Sequence, residues 1–393
     1  MDVRKRYNSN IQYFQSNIQI LRGTFQIAKL FNIPVLVHWS FGLIIFWVMY
    51  IGGREGLDTK GMLWLGVFML ALFVCVILHE FGHALTARRY GVETRDIIIS
   101  PIGGVARLNK LPENPLHEFF VAIAGPLVNV AIALLLLPYL FWLAENNVET
   151  IGELLTRVLT SFPEKLQFRD YFIPVLALLN ISLAIFNLIP AFPMDGGRIL
   201  RSLLALKFSR LTATKYASYL GRFFAALFVV YGLYSGSFIT ALIGIFIYTM
   251  AANELRMVKV DDALQKSTVG DVMRIDFTKQ YENSPISEVI KDTQNGEEKN
   301  FLVFNFHDEL TGILSQSAII QAIRDKKMHY QVADYQLPVT DRLYESDNLK
   351  NTFDKMQREQ ISIVPVFTIK DELMGVMDVQ SINHYLRHLQ KKR

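Results

Sequence analysis

His79-Glu80-Phe81-Gly82-His83 follows the apolar run 62–78 without a break. On a helix, positions i and i+4 share a face, so both imidazoles can bind one zinc ion. Glu80 stands beside them, where its carboxylate can take a proton from water that the metal acidifies. A catalytic zinc takes three protein ligands and keeps one position open. Two histidines are therefore one ligand short. The plainer alternative is a histidine pair that only packs helices at a membrane interface.

The strongest candidate for the third ligand is Asp195. It lies in Asn187-Leu188-Ile189-Pro190-Ala191-Phe192-Pro193-Met194-Asp195-Gly196-Gly197-Arg198. Pro190 and Pro193 each remove a backbone donor and obstruct a helix. Gly196 and Gly197 open backbone angles closed to other residues. An apolar span must break or unwind here, and such backbone survives at membrane depth only when buried in protein or lining a wet cavity. A carboxylate on a broken segment can be aimed at a metal; a solvated helix cap is the alternative. His38, His117 and Cys75 are rival ligands, each with a bland account: an interfacial histidine, a surface histidine and a packed thiol. Asn187 is polar within the span, eight residues before Asp195. It can hold substrate backbone or an oxyanion, or it can serve as a helix–helix hydrogen bond.

Residues 96–109 read as two short apolar runs around Ser100-Pro101 and Gly103-Gly104, which predicts a hairpin or re-entrant loop. Ala124-Gly125-Pro126-Leu127-Val128-Asn129 places small residues and a proline inside an apolar run, which predicts close helix approach.

The elements that must carry these residues are membrane helices. The chain of 393 residues is 51% hydrophobic and 19% charged, against about 25% charged in typical soluble domains. Disorder is excluded for most of the chain. One cysteine excludes a disulfide framework and a Cys-rich zinc finger. Six stretches are apolar enough to enter or cross a bilayer: 35–51, 62–78, 119–144, 171–194, 216–234 and 238–252. Buried core helices of a large soluble protein are the alternative, but 119–144 exceeds normal core-helix length. The polar start has no cleavage-site pattern before the first stretch, so no signal peptide is expected. If the N-terminus is cytoplasmic, 17 Lys and Arg fall on inside segments and 5 on outside segments. That bias predicts cytoplasmic termini.

The net charge of +4 also hides a boundary. Residues 1–260 carry a net +8 and residues 261–393 a net −4. The expected organisation is an N-terminal cytoplasmic segment (1–34), a six-span membrane domain (35–256) and a soluble domain (261–393).

Together, these motifs resemble the site-2 protease family of intramembrane zinc metalloproteases. The resemblance rests on His79-Glu80-Phe81-Gly82-His83, on Pro101-Ile102-Gly103-Gly104, on Ala124-Gly125-Pro126, and on Asn187 with Pro190, Pro193 and Asp195-Gly196-Gly197. It covers most of residues 20–255. It implies one zinc ion per chain, held by His79, His83 and Asp195, with Glu80 as general base and a site open to cytoplasmic water. It also implies membrane-anchored, single-span protein substrates and a place in the plasma membrane. No insertion of the PDZ type fits the short loop 145–170.

The tail repeats itself at an offset of 63 residues. Asp308-Glu309-Leu310-x-Gly312 matches Asp371-Glu372-Leu373-x-Gly375, and Phe301–Phe304 aligns with 364–367. Each unit, about 268–327 and 331–390, reads strand–helix–strand–strand–helix. This is similar to a tandem CBS-domain pair, a regulatory module that implies an adenosine nucleotide as ligand. The Ser/Thr-x-x-Asp of such units is not kept at Ser315-Gln316-Ser317-Ala318 or at Asp378-Val379-Gln380-Ser381. A dimerising module is the alternative. The whole chain reads as an intramembrane zinc endopeptidase with an appended regulatory pair, and nucleic acid is not an expected partner. A CBS-bearing transporter or a pseudoprotease is the other class, although a transporter should show paired broken helices and only one break is visible.

Overall fold

A computed structural model gives the fold and describes residues 23–54, 56–101, 103–108, 112, 114–147, 168–296, 298–325 and 327–391. Residues 1–22, Ile102, Asn109, Lys110 and 148–167 lie outside the described residues. The chain divides after Arg256 into two compact units.

The first unit opens with a small sheet. Strands β1 (Thr24–Leu30) and β2 (Ile33–His38) form an antiparallel hairpin. Its turn residues Phe31 and Asn32 have φ of 50° and 63°. Strands β3 (Thr94–Ser100) and β4 (Gly103–Leu108) form a second hairpin, as 96–109 predicted. β2 and β3 run parallel, giving the order β1-β2-β3-β4 with β4 on an edge. The start of the apolar stretch 35–51 is thus strand rather than span. Ile33, Val35 and Val37 alternate along it, and β-branched side chains suit a pleated surface.

Helix α1 (Gly42–Arg54) follows, then α2 (Thr59–Arg89). α2 has two buried faces. Phe73, Phe81 and Ala84 pack on Ile33, Val35, Ile97 and Ile99 of the sheet. Cys75, His79 and His83 are buried on the face one step round, at the i, i+4 spacing that keeps one helical face. The remaining helices of this unit are α3 (Pro115–Asn147), α4 (Phe168–Leu188), α5 (Asp195–Ala205), α6 (Arg210–Tyr234) and α7 (Phe238–Lys266).

Among the described residues, four helices, α2, α3, α6 and α7, are long and apolar enough to cross a membrane; Trp39–Arg54 and Phe172–Leu188 are shorter apolar helices. With these apolar helices the protein is a membrane protein. A 13-residue α1 is about 20 Å long at 1.5 Å per residue, against a hydrocarbon core of about 30 Å. α4 ends where the chain stops being helical at Ile189, and helix resumes as α5 only at Asp195. Ideal Cβ atoms on Gly196 and Gly197 would lie 2.2 Å from the Ile189 carbonyl oxygen and 2.6 Å from the Ala191 carbonyl carbon. Only glycine lets α5 start folded back on the broken segment.

The second unit contains the repeat. The first copy runs β5 (Lys279–Tyr281), α8 (Ile286–Asn295), β6 (Phe301–Phe304), β7 (Leu310–Leu314) and α9 (Gln316–Arg324). The second runs β8 (Leu343–Tyr344), α10 (Leu349–Glu359), β9 (Ile363–Phe367), β10 (Leu373–Asp378) and α11 (Val379–Lys391). Each copy makes a three-stranded sheet, one parallel and one antiparallel pairing in each. Leu302 and Phe304 of one sheet pack with Ile363 and Val376 of the other.

Candidate metal centre

His79 and His83 are one turn apart on α2, and their Nε2 atoms lie 3.1 Å from each other. Each Nε2 is 3.2 Å from Oδ2 of Asp195, at the first turn of α5. All three residues are buried and form the cluster of possible metal ligands found among the described residues. Residues 112 positions apart in sequence are thus brought onto one point.

The outer ring nitrogens are already engaged. His83 Nδ1 donates to the Val121 carbonyl oxygen at 2.7 Å, and His79 Nδ1 to Oδ1 of Asn129 at 3.2 Å. A carbonyl oxygen only accepts, so each Nδ1 carries a proton, and in the neutral form of the ring the Nε2 lone pair turns inward. Two lone pairs and a carboxylate oxygen facing one another repel unless a cation lies among them. Zinc–nitrogen bonds of about 2.0–2.1 Å in tetrahedral geometry would set ligand atoms about 3.3 Å apart. The observed triangle therefore fits zinc in donor type, spacing and outer-shell support.

Helix α3 supplies that support along one stripe. Val121, Gly125 and Asn129 are spaced four apart, so they share a face. An ideal Cβ on Gly125 would lie 2.2 Å from His83 Nε2 and 2.7 Å from His79 Nε2. The missing side chain is the space in front of both ligating nitrogens. At Gly82 a Cβ would meet the Ala124 carbonyl oxygen at 2.8 Å, so this glycine allows α2 and α3 to touch backbone to backbone.

Glu80 is half-buried on the sheet side of the pair. Its Oε2 accepts from the Ala106 backbone N–H at 2.9 Å. Ala106 pairs with Ile97 across β4 and β3, but this N–H points away from β3, along the open edge of the sheet. β4 passes so near that a Cβ on Gly104 would meet Glu80 Cγ at 2.8 Å.

Asn187 lies half-buried at the end of α4 and is not a partner of the histidine pair among the described hydrogen bonds. The rivals are placed elsewhere. His38 Nδ1 is 2.6 Å from the Ser40 hydroxyl, His117 stacks on Tyr90 at 4.2 Å between centroids, and Cys75 packs with Phe68 and Leu176. Reading the sequence passed over Asn129 and Gly125, taking 124–129 as a helix contact. The signal was present: Asn129 is polar inside an apolar run, and such residues are functional by default.

The model of peptidase family M50 matches residues 67–231. The zinc metalloprotease MJ0392 of Methanocaldococcus jannaschii is 36% identical over 248 residues, which cover 63% of this chain and 65% of that protein. The chain thus spans just under two thirds of that relative. The solved site-2 protease from Methanocaldococcus jannaschii is 34% identical, with a TM-score of 0.44, and is covered over 95% of its length by 59% of this chain. A solved CBS domain pair, of protein MJ0100 in complex with 5′-methylthioadenosine and S-adenosyl-L-methionine, is 20% identical with a TM-score of 0.29, over 32% of this chain and 98% of its own. The matched stretch encloses all three converging side chains: residues 67–231 are similar to peptidase family M50, and the chain is similar to proteins named as zinc metalloproteases.

Proposed function

We propose that this chain is an intramembrane zinc endopeptidase that hydrolyses peptide bonds of membrane-anchored, single-span proteins. The observation that carries the reading is the convergence of His79 Nε2, His83 Nε2 and Asp195 Oδ2 beside the Glu80 carboxylate. His79, His83 and Asp195 would hold one zinc ion per chain. Zinc so bound supplies Lewis acidity, acidifying water toward neutral pH and polarising a carbonyl. Glu80 takes the proton from the attacking water at its carboxylate and gives it to the leaving amine. Asn129 and the Val121 carbonyl keep both imidazoles in the tautomer that presents Nε2. Asn187 is the candidate for holding substrate backbone or the oxyanion.

Substrate helices carry internally bonded amides, so the scissile stretch must be extended before attack. The open edge of β4 supports this reading, because an added strand could pair there directly against Glu80. The two short apolar helices act as the remaining crossings of a six-span body in the plasma membrane with both termini cytoplasmic. The Lys and Arg distribution supports that orientation. The second unit acts as a CBS pair that regulates the protease, as a homodimer. For an adenosine nucleotide, the Asp378 geometry is a constraint: its carboxylate is fully buried, accepting from Ser381 N–H at 2.7 Å and lying 3.3 Å from Arg274 Nη2. A nucleotide would have to be held by other groups.

The test uses the full chain in detergent, with zinc content and cleavage of candidate single-span substrates measured for native protein and Glu80→Gln. Cleavage should fall by about 10²–10⁴-fold while zinc stays bound. Undiminished cleavage sinks the mechanism. Zinc in the native chain without cleavage of any substrate favours the non-proteolytic reading.

A further inference from the structure

Arg201, on α5, is the largest fully buried side chain among the described residues, at 0% exposure. Its guanidinium is the centre of an ionic hub. Nε donates to Glu118 Oε1 of α3 at 2.7 Å, and Nη2 donates to the same oxygen. Nη1 donates to Glu254 Oε1 of α7 at 2.5 Å. Arg210, at the start of α6, approaches the other Glu118 oxygen at 3.7 Å. The Arg201 guanidinium carbon also lies 5.0 Å over the Phe192 ring, in the broken segment ahead of α5. One side chain thus joins α5 to α3, to α7 and to the non-helical stretch that delivers Asp195.

This placement matters because α5 begins weakly. Asp195 is followed by Gly196 and Gly197, which carry the largest backbone freedom, and its N-cap Met194 makes no side-chain capping bond. Local backbone preference therefore leaves the Asp195 carboxylate free to wander. Arg201 lies six residues on, about 9 Å along the helix, and adds ion pairs to the close backbone packing at Gly196 and Gly197. Glu118, its partner, stands three residues before Val121 on α3, the helix whose stripe orients both histidines. Arg201–Glu118 is thus a tie between the helix carrying the third ligand and the helix orienting the first two.

We infer that Arg201 is a positioning residue that holds Asp195 Oδ2 in register with His79 and His83 and so sets the metal affinity of the site. The inference rests on the zinc site proposed above. Glu118 and Glu254 neutralise the buried guanidinium, and its planar fork makes bonds that an ammonium cannot reproduce.

The experiment compares full-length native protein, Arg201→Lys, Glu254→Gln and Ser218→Ala in detergent. Ser218 is buried and bonds the Ala251 carbonyl at 2.7 Å, joining α6 to α7 with no hydrogen bond to Arg201, Glu118 or Glu254 among the described residues. It serves as a purely structural control. Zinc dissociation constants come from chelator competition, the ligand field from the visible bands of the cobalt(II) form, and stability from the melting of metal-free protein. Arg201→Lys should weaken zinc about 10–100-fold, alter the cobalt bands, and lower kcat with KM unchanged. Glu254→Gln should move the same readouts in the same direction, less far, and decides the matter if the lysine variant does not fold. Ser218→Ala should lower melting and leave zinc affinity and cobalt bands native. Native zinc affinity and cobalt bands in the folded hub variants overturn the inference. So does a Ser218→Ala variant that loses zinc in proportion to its lost stability. Failure of the native chain to bind zinc overturns the proposed function instead.

Discussion

A histidine offers a metal one nitrogen only if the other is occupied. Val121 and Asn129 occupy Nδ1 of His83 and His79, so the affinity of this site depends on two groups that never touch the ion. Asn129→Leu keeps the volume and leaves a buried Nδ1–H unpaired, at a cost of about 1–3 kcal/mol. Zinc affinity should fall about 10–100-fold, read by chelator competition. A steric rule acts at the same point. The Cβ of Gly125→Ala would lie 2.2 Å from His83 Nε2 and 2.5 Å from its Cε1. Ring and helix backbone are both stiff, so neither can yield. Purified Gly125→Ala should contain almost no zinc by elemental analysis, with α-helical content intact. A stoichiometric zinc load in that variant would show that the cleft in front of the histidines is not the metal's place.

At the scale of elements, the edge strand β4 is the part that brings backbone to the Glu80 carboxylate. Ala106→Pro removes the N–H that meets Glu80, and proline is tolerated on an edge strand when the lost donor faces outward. One hydrogen bond to a charged group is worth about 1.5–3 kcal/mol. Cleavage should fall tenfold or more while zinc content stays native, checked by steady-state kinetics beside metal analysis. In the second unit the repeat reaches down to single contacts. Lys279–Asp308 at 2.7 Å recurs as Arg342–Asp371 at 2.9 Å, 63 residues on. The Lys279 ammonium over Phe304 at 4.9 Å recurs as the Arg342 guanidinium over Phe367 at 5.0 Å. The hydrogen bond from Lys279 holds the Asp308 carboxyl below its usual range. Exposed pairs of this kind contribute little stability. They mark equivalent hairpin geometry, with φ near +62° at Asp308 and +64° at Asp371.

For the whole molecule, the two units have separate cores. Leu302 is fully buried where the two repeat sheets meet, and Leu302→Ala should cost about 2–5 kcal/mol. Calorimetry of the full chain should show a lowered transition for the second unit, and zinc content should not change. Loss of zinc together with that transition would mean the metal centre relies on the second unit's fold. The first unit differs in kind: its site is assembled from α2, α3 and α5, and no two of the three ligand-bearing or ligand-orienting helices suffice.

Much of this was legible beforehand because the informative residues were chemically out of place. His79, Glu80 and His83 at the end of an apolar run, and Asp195 after two prolines and before two glycines, stand out by the cost of polar groups in an apolar setting. The break at Ile189, the hairpin after Thr94 and the repeat in the tail follow from local backbone rules and self-similarity. The strands before α1 were not legible: Val35 and Val37 suit a membrane helix and a strand equally, and pairing with β1 and β3 decides. Residue types and spacing alone pointed to metal chemistry, to two adjacent candidate ligands and to a candidate third. Only the tertiary structure decided that Asn129 and Val121 face the histidines, that Gly125 leaves the ion its room, that β4 reaches Glu80 and that Arg201 ties α5 to α3. Those are contacts between segments far apart in the chain, and their partners are chosen by packing, which no local pattern of residues encodes.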